Sequence, residues 1–198
     1  ENPKIIRVVA SLTEEMSAGE IYQLIKTGQI DLTEAEYMDI IRRKTGVLIE
    51  SACRSGAILS DAPEKLETAL TAYGKHLGLV FQIADDILDY TADTSELGKT
   101  VGADLKEGKL TLPVIHALSQ AEAAEKRRME AIIANPDFTQ AEFAELVSLL
   151  EKHGGIDYAR QKALDHVNQA KTQLNRFPPS EARDILLLMA DYALNRKS

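Results

Sequence analysis

The sequence predicts an all-α fold, on three observations. Helix-start signals recur along the chain, glycines and prolines separate the segments they open, and no β-hairpin dipeptide sits between alternating apolar runs. Asn2 before Pro3 reads as an N-cap followed by proline at the first helical position, where the missing N–H costs nothing. That helix runs to about Thr27 and stops at Gly28. Thr33 and Glu36 form a capping box that opens a second helix, reaching roughly Leu59. Asp61-Ala62-Pro63-Glu64 starts a third, which runs to about Tyr90. A polar stretch with Gly98, Gly102 and Gly108 follows, from Asp93 to Lys109. Leu112-Pro113 restarts a short helix through Leu118, and further helices are expected at 121–134, 139–152, 155–176 and 180–195. Thr139 and Glu142 supply another capping box, while Gly154-Gly155 and Pro178-Pro179 divide the last three segments.

Composition narrows the function classes. The 198 residues fit one domain able to bury a core, and 44% hydrophobic with 27% charged residues is an ordinary globular balance. A net charge of −8 argues against nucleic-acid binding, which needs a basic surface to displace counterions. No run of about 18 apolar residues is present to span a membrane. The single cysteine, Cys53, cannot form an internal disulfide, so a reduced cytoplasm is the expected compartment. His76, His116, His153 and His166 lie too far apart along the chain to suggest a metal quartet.

The sharpest chemical feature is Phe81-Gln82-Ile83-Ala84-Asp85-Asp86-Ile87-Leu88-Asp89-Tyr90. Helical residues three or four apart share a face, so Gln82, Asp85, Asp86 and Asp89 form a polar stripe, with Leu79, Ile83, Ile87 and Tyr90 around the rest. Three carboxylates on one face repel, and no lysine or arginine stands at three- or four-residue spacing to relieve them. Aspartate is also a weak helix former. A hard divalent cation resolves both the charge and the geometry. A solvated acidic face is the plain alternative, and the apolar flanks argue against it. An EF-hand fails for want of its ligand spacing and loop glycine.

Two further features stand around it. Residues 98–109 contain Lys99, Lys106 and Lys109 among three glycines, which let backbone approach a ligand while the lysines supply charge for phosphate oxygens. The segment is not a P-loop, and lysine-bearing loops are common. In the second helix, Tyr37, Ile41, Leu48, Ala52 and Leu59 read as a core-facing stripe whose missing step falls at Lys44-Thr45. An inward lysine needs an anion; otherwise Lys44 snorkels outward, with a kink at Gly46.

Residues 78–90 resemble the second aspartate-rich motif of the trans-isoprenyl diphosphate synthases. Gly98-Lys99, Asp104-Leu105 and Gly108-Lys109-Leu110-Thr111-Leu112-Pro113 continue the resemblance in register, and Gly19-Glu20-Ile21-Tyr22-Gln23 with Lys44-Thr45 match other family signatures upstream. The likeness is strongest with bacterial long-chain, octaprenyl-type enzymes of quinone side-chain synthesis, and it weakens after about residue 120. It implies an isoprenoid-synthase helical bundle, a homodimer, and Mg2+ as cofactor held by Asp85, Asp86 and Asp89, Asp85 most directly. It implies that Lys44 and Lys99 bind the diphosphate of an allylic substrate, that Lys109 closes over it, and that Thr45 and Gln82 support the ionising C–O bond. Isopentenyl diphosphate is then the second substrate.

The family carries two aspartate-rich motifs, and Asp85-Asp86 is the only Asp-Asp pair here. Residues 1–198 are therefore expected to be the C-terminal part of a single synthase domain, lacking its N-terminal helices and inactive alone. Gly46 stands where the family usually has alanine. Two rivals are a non-catalytic helical subunit that binds or regulates a full-length synthase, and a class I terpene cyclase. The site residues kept here weigh against the first, and the intact Gly108–Pro113 segment weighs against the second.

Overall fold

The computed structural model describes residues 2–91 and 102–196. Its helices are α1 (Pro3–Lys26), α2 (Glu34–Ile41), α3 (Val47–Leu59), α4 (Glu64–Thr91), the single turn α5 (Ala103–Lys106), α6 (Leu112–Gln120), α7 (Ala123–Ile133), α8 (Gln140–Lys152), α9 (Gly155–Leu174) and α10 (Glu181–Asn195). No strand occurs among the described residues, so the all-α reading holds. The caps do what their residue types allow. Asn2 Oδ1 accepts from the Lys4 amide, Thr33 and Glu36 close their box reciprocally, and Thr139 and Glu142 close theirs.

Helix α4 is the axis. It lies between α3 on one side and α9 on the other, with α10 also against it. Its residues Leu79, Ile83, Ile87 and Tyr90 enter a core shared with α2, α6 and α8, while Tyr73, Leu77 and Val80 pack with Val167, Leu174 and Ala190. The amphipathic spacing read from the sequence is thus the packing surface itself. Midway along α4 two of the four histidines meet: His76 and His166 stack with Nδ1 atoms 3.0 Å apart. Burial, with the neighbouring imidazole, lowers His76 to about 4.

The second expected helix does reach Leu59, but the core stripe drawn along it is corrected. A wide π turn, Arg42–Gly46, separates α2 from α3. In it each residue advances the chain through a smaller rotation, so a 3.6-residue stripe cannot be extended across it. Tyr37 and Ile41 are buried as expected, but Ala52 is exposed, Leu48 is 47% exposed and Leu59 71%. Val47, Ser51, Ala57 and Ile58 are the buried residues of α3 instead. A Cβ on Gly46 would meet nothing nearer than 3.6 Å, which accommodates an alanine there, whereas one on Gly78 would strike the Gly46 Cα at 2.6 Å.

Candidate functional site

Lys44 and Thr45 sit on the π turn, a geometry concentrated at functional sites because it interrupts the helical ladder. The turn is held from two sides. Arg42 and Arg43 both reach Glu15 of α1 and Asp39 of α2, at 2.8–3.3 Å. Gly19 lets α1 come close: a Cβ there would lie 2.6 Å from the Arg43 Cβ. Lys44 Nζ donates to Gln23 Oε1 at 2.6 Å and lies 3.4 Å from Glu20. The lysine is half-buried, so its two readings, inward and snorkelling, meet at a pocket rim.

A chain of hydrogen bonds joins the turn to α4. Thr45 Oγ1 donates to Gln82 Oε1 at 2.8 Å, and Gln82 Nε2 donates to Asp86 Oδ1 at 2.8 Å. Tyr37 OH donates to the other oxygen, Asp86 Oδ2, at 2.6 Å. Asp86 is 3% exposed. Burial pushes its pKa up to about 7, against the pull of the two bonds from Tyr37 and Gln82. Burial and the Asp86 charge raise Tyr37 well above its usual range, so the phenol keeps its proton and remains the donor. A pocket of about 70 Å³ opens here, lined by Lys44, Gln82 and Asp86 with Lys26, Asp104 and Lys109.

The other two aspartates stand differently. Asp89 is half-buried and accepts from the backbone amides of Ala103 at 3.1 Å and Asp104 at 3.2 Å. Gly102, at φ +75°, makes this possible by turning the chain into α5 in a left-handed conformation. Burial, then Asp104, raises the Asp89 carboxyl, and the amides oppose them. Asp85 has a side chain 53% exposed and pairs with Arg196 at 2.9 Å. Lys109 pairs with Asp104 at 3.3 Å and with Glu107. Burial lowers the Lys109 pKa, these two acids outweigh it, and the ammonium stays protonated. Lys99 lies outside the described residues.

The geometry thus brings Lys44, Gln82, Asp86 and Lys109 to one pocket, with Thr45 behind Gln82, and leaves Asp85 and Asp89 outside its lining. Comparison with known proteins gives a family to this arrangement. The model of the polyprenyl synthetase family matches residues 1–150. The chain belongs to the polyprenyl synthetase family. The chain is 38% identical, over 97% of its length, to a short chain isoprenyl diphosphate synthase of Methanothermobacter thermautotrophicus, and covers 58% of that relative. It is 35% identical to the octaprenyl diphosphate synthase of Haemophilus influenzae, over 99% of this chain and 59% of that one. A polyprenyl synthase from Caulobacter crescentus, solved with calcium and isoprenyl diphosphate, superposes with TM-score 0.93 at 34% identity, over all of this chain and 60% of its own. The chain thus spans about three fifths of these relatives.

Several residues around this pocket carry no sequence label of their own. Tyr37 reads as one more core position, although a buried tyrosine needs a partner for its hydroxyl, which was the available signal. Asp104, Glu20 and Gln23 stand inside quoted motifs without a role, and the fold makes them the partners of the lysines. Arg196 follows the last helix and reaches a residue 111 positions away. No local spacing could have shown that contact.

Proposed function

We propose that the complete protein is a chain-elongating trans-prenyltransferase that condenses an allylic diphosphate with isopentenyl diphosphate. The observation that carries this reading is the pocket where Lys44 and Lys109 meet Gln82 and Asp86, on the helix that also carries the exposed carboxylate of Asp85 and the half-buried one of Asp89. Among the described residues no three acidic or imidazole groups converge as a ready metal cage. That suits magnesium, which takes one or two carboxylates together with phosphate oxygens. Asp85 and Asp89, one helical turn apart, are the hard oxygen donors to hold it, with Asp86 behind them. Bound there, magnesium offsets the charge that develops on the departing diphosphate.

The remaining roles belong to the chain itself. Lys44, Lys99 and Lys109 bind diphosphate oxygens as point charges. Thr45 and Gln82 hold each other in place and turn oxygen toward the developing allylic cation. Breaking the C–O bond leaves both bonding electrons on the diphosphate. The isopentenyl double bond then attacks the cation, and loss of a proton to the released diphosphate completes the new double bond. Buried walls such as Ile40, Ile41 and Leu110 keep water from the cation. The product feeds quinone side-chain or other isoprenoid synthesis. A homodimer in a reduced cytoplasm completes the proposal. Exposed Ile21, Leu24 and Ile25 on α1 support the homodimer, and the lone Cys53 suits the compartment.

Incubating the complete protein with radiolabelled isopentenyl diphosphate, a series of allylic diphosphates and magnesium tests the reading. Magnesium-dependent elongation is expected, and residues 1–198 alone should stay at background. Failure of the complete protein with every allylic primer would refute the proposed activity.

A further inference from the structure

Asp85 lacks a cation within its own helix, and the far end of the chain supplies one. Arg196 Nη2 donates to Asp85 Oδ1 at 2.9 Å and to the Phe81 carbonyl at 3.1 Å, and its guanidinium lies 4.0 Å from the centre of the Phe81 ring. The Arg196 side chain is only 10% exposed, and its Nε is buried without a partner. These contacts place a positive charge on the most accessible carboxylate of the aspartate stripe, where a metal would otherwise act.

We propose that Arg196 is a tail latch: it occupies the charge position of the metal at Asp85 and leaves when magnesium and a diphosphate arrive. The inference rests on the magnesium–diphosphate reading of the site given above. Three features favour exchange over a permanent tie. The unpaired Nε withholds part of the return for burying the guanidinium, so the closed contact is held loosely. A cleft of about 570 Å³ adjoins the tail, giving the side chain room to swing. Asp157 lines the same cleft and offers an alternative carboxylate. The Phe81 ring holds the planar guanidinium while Asp85 is free of metal. Arg196 therefore acts through Asp85 and is a positioning residue. Its release couples filling of the site to movement of Arg196 just beyond α10.

The test is a magnesium titration of the complete protein at fixed inorganic pyrophosphate, read by thermal stabilisation rather than turnover. Solvent at the Asp85 side screens the pair and keeps its worth to a modest factor, so Arg196→Gln should lower the magnesium concentration for half-maximal stabilisation by about two- to fivefold. Phe81→Leu, which removes the stacking surface and keeps every charge, should shift it in the same direction by less. Both sites are peripheral, and the melting temperatures without ligand show whether each variant is folded. An unchanged or raised magnesium requirement in folded Arg196→Gln would overturn the latch. A wild-type protein with no magnesium-dependent stabilisation would instead overturn the reading of the site, and the latch with it.

Discussion

Asp85 and Asp86 are neighbours in sequence, yet they face two different surroundings. About 100° of helical rotation separates them. Asp86 turns inward, where Tyr37 and Gln82 take both of its oxygens and burial disfavours its charge. Asp85 turns outward, more than half exposed, with one oxygen engaged by a tail arginine. A run of aspartates is therefore not three equal ligands. The inner residue ties α2, the π turn and α4 into one frame, Asp89 is held half-buried by the Ala103 and Asp104 amides, and Asp85 faces what enters from solvent.

Removing Asp85 should have the largest effect on function and almost none on the fold. In the complete protein, Asp85→Ala is expected to lower kcat by at least about 100-fold, since metal stabilisation of a leaving group is worth several kcal/mol. The circular dichroism spectrum should be unchanged. Turnover near wild type at saturating magnesium would remove Asp85 from the site.

The inner aspartate's frame should answer in stability instead. Tyr37→Phe leaves one oxygen of Asp86 buried and unpaired, at an expected cost of about 1–3 kcal/mol in urea unfolding, with the m-value unchanged. A cost near zero would mean that Asp86 is not held in this way. Lys44→Met sharpens the contrast from the other side of the pocket. Its partners Gln23 and Glu20 lie at a half-exposed rim, so stability should move by no more than about 0.5 kcal/mol. Affinity for magnesium diphosphate, measured calorimetrically, should fall. Unchanged affinity would return Lys44 to a surface role.

The pH dependence gives a smaller, signed effect. The folded pKa of Asp86, about 7, lies above its unfolded value. The corresponding stability is complete below the unfolded pKa and is lost as pH rises through about 7. Metal-free protein should therefore lose stability between about pH 4 and 7 relative to an Asp86→Asn variant, which cannot ionise; parallel curves would contradict the assignment. Far from the site the sign reverses. His76 is lowered to about 4 when folded, so its contribution is lost as pH falls from about 6.5 toward 4, and His76→Gln should flatten that limb.

Much of this was legible in the sequence. Caps at Asn2, Thr33 and Thr139 place helix starts correctly, because a side-chain oxygen two or three residues ahead of an amide is a local matter. The buried face of α4 follows from spacing alone. The π turn did not, since a widened turn depends on how Arg42 and Arg43 are gripped by Glu15 and Asp39 from other helices. The stripe drawn through Leu48, Ala52 and Leu59 failed for that reason. Spacing also put Asp85 and Asp86 on one stripe, and only packing of α2 against α4 divides them.

The central claim is that this half of the site organises a magnesium–diphosphate pair around Asp85, Asp89 and the lysines. Thermal unfolding of the 198-residue chain tests it most directly, measured with magnesium alone, with inorganic pyrophosphate alone, and with both. A ligand stabilises only the state it binds. The melting temperature should rise only when both are present, and that rise should vanish in Asp85→Ala. Equal stabilisation by pyrophosphate without magnesium, or a rise that survives Asp85→Ala, would contradict the account.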